Sequence, residues 1–69
     1  MSKETYLIES LTRDLVTRLM EECGLTMRQA MDVVYKSETY DALSNTATGL
    51  FAQSPVYLYD ELQKEIKRT

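Results

Sequence analysis

Histidine and tryptophan are absent from this 69-residue chain, cysteine and proline occur once each, and glycine twice. Each shortage excludes something. The lone Cys23 cannot close an intrachain disulfide, and an unpaired cysteine fits a reducing compartment. Without a histidine or a second cysteine there is no nitrogen–sulfur ligand set, so neither a metal nor another cofactor is expected. The commonest general acid–base side chain is missing, and so is any glycine-rich phosphate loop. No spacing of acids singles out a catalytic pair, and the chain is not expected to be an enzyme. No apolar stretch approaches the roughly 20 residues of a membrane span. The first residues show no basic segment leading into a long apolar run. A cytoplasmic protein with no membrane partner is the expectation.

A chain this short forms one domain, residues 1–69, and buries roughly 60% of the surface that its unfolded form exposes. Such a core supplies about 3–5 kcal/mol of net stability. With disulfides and metals set aside, the remaining sources are tight helix packing and self-association, so a homodimer is a candidate at the outset. Eleven acids against eight bases leave a net charge of −3. A basic excess marks most nucleic-acid binders, and its lack argues against a nucleic-acid partner.

What is present is helical periodicity. Leu7, Leu11, Leu15, Leu19 and Cys23 recur every four residues, and Ile8, Val16 and Met20 widen the row. This predicts a first helix from about Glu4 to Cys23, closed by Gly24 in the left-handed conformation. Thr26-Met27-Arg28-Gln29 is a capping box, and Leu25 before it can staple against Ala30. A second helix to about Lys36 follows, with Met27, Ala30, Met31 and Val34 on one face. Ser37 can cap a short third helix, Glu38 to Ser44, whose apolar residues are Tyr40, Ala42 and Leu43. Asn45 to Gln53 is irregular, with Asn45 and Gly49 suited to positive φ and Leu50 and Phe51 placed to plug the core. Ser54-Pro55 is a start signal for a fourth helix to about Arg68, presenting Leu58, Tyr59, Leu62 and Ile66 to the core. No segment alternates with period two. The expected fold is all-α: a compact bundle of four helices, the third short, with no sheet.

Several residues admit two readings. Cys23 is a reactive thiol or, as a continuation of the leucine row, a small buried hydrophobe; the row favours the second. Glu21-Glu22, at an unfavourable helix end for acids, marks a contact or an ordinary solvated terminus. Met20, Met27 and Met31 form an adaptable groove or fill the core, and their positions on apolar faces favour filling. Tyr57 points nearly opposite Leu58 and Leu62 on the helical wheel. It is either a rim residue packed on the 45–53 loop or part of an interface with Tyr35 or Tyr40, since tyrosine suits interfaces. The second and third helices have the length of a helix-turn-helix. The reading helix, however, would offer Glu38, Thr39, Tyr40, Asp41 and Ser44, with no base to meet phosphate.

Ser37, Tyr40 and Leu43 spell S-x-x-Y-x-x-L. Thr48 to Glu65 spell T-G-L-x-x-Q-S-P-x-Y-x-Y-x-x-L-x-x-E. From about Leu25 to Ile66 the chain resembles a family of short bacterial proteins grouped only as a domain of unknown function. Some members of such families sit beside genes for toxins or ADP-ribosyltransferase-like proteins. The resemblance thus implies a small accessory or antitoxin-like partner, and it brings no catalytic residues. The same motif has a structural meaning: Gly49 turns, Leu50 plugs, Ser54 caps and Pro55 starts a helix. The leading expectation is a non-catalytic interaction domain that binds another protein or itself through Tyr35, Tyr40 and Tyr57, on a tyrosine-rich surface of the third and fourth helices. A DNA-binding regulator is the alternative. An enzyme subunit that completes a partner's active site is a third reading.

Overall fold

A computed structural model describes residues 2–68, and it is all-helical, with no strand among the described residues. The helices are α1 (Lys3–Cys23), α2 (Met27–Tyr35), α3 (Glu38–Ser44) and α4 (Pro55–Arg68). Two short 3-10 turns, Thr46–Thr48 and Leu50–Ala52, link α3 to α4. At about 1.5 Å per residue, α1 alone accounts for most of the longest dimension, 32 Å. The other helices are shorter, and against them α1 buries Leu11, Leu15, Val16 and Leu19.

The starts and stops follow local chemistry. The Ser2 hydroxyl accepts from the Thr5 N–H at 3.1 Å, and Gly24 ends α1 at φ 68°. The capping box of α2 is complete: the Gln29 N–H donates to Thr26 Oγ1 at 3.1 Å, and the Thr26 N–H donates to Gln29 Oε1 at 3.0 Å. Half-buried Leu25, just before it, packs against the core. Ser54 Oγ accepts from the Tyr57 N–H at 3.2 Å and opens α4. Between α3 and α4, Thr48 Oγ1 lies 2.6 Å from the Ala42 carbonyl and 2.9 Å from the Asn45 carbonyl, so one hydroxyl ties the turn to the end of α3. Gly49 then takes φ 72° and sends half-buried Leu50 and Phe51 onto the core.

The core unites Leu11, Leu15 and Leu19 of α1 with Ala30 and Val34 of α2, Leu43 of α3, and Leu58, Tyr59 and Leu62 of α4. The expected leucine row fails at both ends: Leu7 is only half-buried and Cys23 is exposed. Residues four apart on a 3.6-residue turn drift by about 40° around the axis, so a five-member row holds one face only in its middle. Ile66, expected in the core, is 38% exposed in the last turn of α4. Its neighbour Glu65 makes the core-side contact there.

That contact takes two of the N-terminal N–H groups of α3, and Ser37 takes the next two. Glu65 Oε2 accepts from the Glu38 N–H at 2.8 Å, and Oε1 accepts from the Thr39 N–H at 3.0 Å and the Thr39 hydroxyl at 2.9 Å. Ser37 Oγ accepts from the Tyr40 N–H at 3.0 Å, and the Ser37 carbonyl accepts from the Asp41 N–H at 3.3 Å. The Ser37 hydroxyl also donates to the Val34 carbonyl at 2.6 Å, closing the end of α2. Buried Ser37 and half-buried Glu65 therefore join α2, α3 and α4 at one point.

Removing the carboxylate orphans two helix-end donors and a hydroxyl. Glu65→Ala is expected to lower stability by about 1–3 kcal/mol in urea unfolding, with Glu65→Gln, which keeps one acceptor, falling between. Gly49→Ala has open space for its methyl but a left-handed backbone to sustain, and should cost about 1–2 kcal/mol in the same measurement.

Candidate functional site

A concavity lies between α1 and α2 and is open to solvent, with a volume of about 380 Å³. Its α1 wall is the stripe Ile8, Thr12, Val16 and Met20, with Glu9, Arg13 and Thr17 along the rim. The wall from α2 is Met27, Met31 and Tyr35, at i, i+4 and i+8 on one face. Tyr40 of α3 closes one end. Its ring meets the Tyr35 ring edge-to-face, with centroids 4.9 Å apart and planes at 80°. That geometry suits the quadrupoles of two aromatic rings and holds both side chains in place. The polar group on the floor is already satisfied, since the Thr12 hydroxyl donates to the Ile8 carbonyl at 2.7 Å. The groove thus offers apolar surface and little unmet hydrogen bonding.

Two sequence expectations change here. The methionines of α2 are not core filling: Met27 is 60% exposed and Met31 38% exposed, while Ala30 and Val34, with half-buried Val33 beside them, carry that helix's contact with the core. Periodicity identified their face as apolar. Only the packing shows that no helix covers the half of that face bearing the methionines. The tyrosines do not form one surface either. Tyr35 and Tyr40 meet in the groove, but Tyr57 lies on a separate, more polar depression of about 210 Å³ with Leu50, Glu38, Glu61 and Glu65. Tyr57 is 45% exposed and shares that depression with Leu50 of the 45–53 loop.

Between α1 and α4 lies a small polar cluster that the sequence did not announce. Gln63 Nε2 donates to the Tyr59 hydroxyl at 2.7 Å, and Cys23 Sγ lies 4.0 Å from both. The Arg18 guanidinium sits 5.8 Å from the Tyr59 ring centroid and 3.9 Å from the Glu22 carboxylate. Arg18 therefore pairs forward along α1 with Glu22, and Glu22 reads as part of a solvated helix end. On α4, Lys64 bridges Asp60 at 3.2 Å and Glu61 at 3.7 Å, and these acids hold its ammonium above the usual lysine range. Among the described residues, no group of three or more His, Cys, Asp or Glu side chains is placed to hold a metal ion. No helix among them is long and apolar enough to cross a membrane.

The chain matches no protein-family model, no curated protein and no solved structure.

Burial, then the neighbouring Cys23 thiol, push the Tyr59 hydroxyl above its ordinary pKa. The folded state thus holds this proton more tightly than the unfolded chain does. The stabilisation is complete below the unfolded value of about 10 and is lost as pH climbs through the raised folded value. Tyr59→Phe loses the bond to Gln63 but has no proton to lose. Its stability deficit against the parent protein should shrink as pH rises past about 10, when both are unfolded in urea across a pH series.

Proposed function

We propose that this protein is a non-catalytic interaction domain whose working surface is the α1–α2 groove, where it receives the apolar face of a helix. The observation that carries this reading is the exposed row Met27, Met31 and Tyr35 facing the α1 stripe across open space. Methionine is unbranched and polarizable, so a methionine-lined wall adapts to the side chains it meets. The edge-to-face pair of Tyr35 and Tyr40 gives the groove one rigid end. Helix-in-groove binding reads anchors spaced i, i+3 or i+4, and i+7. The α1 stripe from Ile8 to Met20 runs about 18 Å, room for about three turns of such a helix.

An accessory or antitoxin-like role, the one implied by the T-G-L-x-x-Q-S-P-x-Y-x-Y resemblance, calls for a surface of this kind. The DNA-reading alternative draws little support from the charges, because α3 carries Glu38 and Asp41 in its first turn. Acids at that position repel the phosphate backbone that supplies most non-specific affinity.

The test is a titration with a synthetic amphipathic peptide carrying leucines at i, i+4 and i+7, followed by the methyl resonances of the methionines. Met20, Met27 and Met31 should shift while the ring signals of Tyr57 stay in place. Met31→Glu, at the centre of the α2 wall, should weaken binding about tenfold or more. Shifts confined to Tyr57 and its neighbours would move the interface to the α3–α4 side and overturn the assignment.

A further inference from the structure

The groove has two unlike ends. Only Gly24, Leu25 and Thr26 join α1 to α2, so the two helices pack as a hairpin and run in opposite senses. Met20 and Met27 flank that link and form one end. Glu9 lies toward the other, which Tyr35 and Tyr40 close.

The two rims carry their charges in the same order. On α1, exposed Glu9 and Arg13 stand one turn apart. On α2, exposed Arg28 and Asp32 follow Met27 and Met31 by one residue, on the side of the helix away from Ala30 and Val34. Because α1 and α2 are antiparallel, each rim has its acid toward the tyrosine end and its base toward the methionine end. Arg13 and Asp32 stand in the middle and cancel, which leaves Glu9 at one end and Arg28 at the other. Neither pair closes on itself. Ion pairs join Arg18 to Glu22 and Lys64 to Asp60 and Glu61, but among the described residues none engages these four rim charges.

We propose that the occupant of the groove is an amphipathic helix of another protein, lying parallel to α1, with a basic residue in its first turn and an acidic residue in its last; this rests on the groove being the interaction surface. The base meets the Glu9 carboxylate, and the exposed Tyr35 ring beside it offers a face to the same cation. The acid meets the Arg28 guanidinium. Since Glu9 belongs to the α1 rim and Arg28 to the α2 rim, the two residues lie on opposite flanks of the partner's apolar stripe. The direction follows from the helix dipole. Parallel to α1, the partner's N-terminal N–H groups, partly positive, lie nearest Glu9, and its last carbonyls lie nearest Arg28. A helix docked the other way sets its carbonyl end against Glu9. Charges at the rim of an apolar groove fix orientation and choice of partner more than affinity. Each contact is solvated, so the expected effect is about twofold to fivefold in affinity.

The probes are two synthetic peptides with the same leucine stripe. The first carries lysine in its first turn and glutamate in its last, and the second has the two exchanged. Calorimetric titration of the full chain at low salt should show the first peptide binding about twofold to fivefold more tightly, with the difference fading as salt is raised. Combining Glu9→Lys with Arg28→Glu should reverse the preference, and the circular dichroism of that variant should match the parent. A nitroxide at the N-terminus of the first peptide should broaden the ring resonances of Tyr35 and Tyr40 and spare the Met20 and Met27 methyls. Broadening at the methionine end, or equal affinity for the two peptides, overturns the proposal and leaves the groove standing as an interaction surface. Failure of both peptides to bind, together with the uncharged leucine peptide, removes both readings. Self-association of the chain that Met31→Glu abolishes would make the occupant a second copy and also overturn the proposal.

Discussion

The Glu65 carboxylate at the head of α3 is the contact on which the arrangement of the other helices depends. A helix of seven residues is too short to persist by its own hydrogen bonds, because nucleation consumes most of what they return. Here the N–H groups of its first three residues are all taken, two by Glu65 and one by the Ser37 side chain. The acid also sits where the helix dipole favours negative charge. Because Ser37 binds the end of α2 in the same place, the chain cannot shift α4 without uncapping α3. Leu43, fully buried beside Leu58 and Leu62, is held in the core by that arrangement.

This frame explains the open groove. With α3 and α4 fixed against one side of α1, and α2 short, no fourth wall remains for the α1–α2 seam. The buried half of α2 meets the core through Ala30 and Val34, both small. Its larger apolar residues are left facing outward. Helix α2 thus places its small side chains in close packing and its flexible ones on exposed surface, an ordering that suits recognition better than stability.

Much of the fold was legible in the sequence because its signals are local. The Thr26–Gln29 box, the Ser37 cap and the Ser54-Pro55 start act within three or four residues, and each lies where its pattern placed it. The α3 limits were read to the residue. What stayed hidden depends on distance. Glu65 lies 26 and 27 residues from the N–H groups it caps, so nothing in its own neighbourhood marks it. Met27 and Met31 follow the same apolar period as buried residues, and period alone does not say which neighbour covers a face. Cys23 continued the leucine row on paper, while the slow drift of a four-residue repeat carried it off the core. The tyrosines were rightly singled out as unusual, but only the fold divides Tyr35 and Tyr40 from Tyr57.

The cap at α3 also orders events during synthesis. The first three helices and the Thr48 latch are made before any residue of α4, yet α3 has two orphaned N–H groups until Glu65 leaves the ribosome. Leu58 and Leu62, which fill the core, arrive only shortly before it. Until they do, the leucine face of α1 lacks the α4 side chains that cover it in the folded protein, and the core closes only when α4 is in place. For a protein this small, folding is tied less to the order of its helices than to the arrival of one carboxylate.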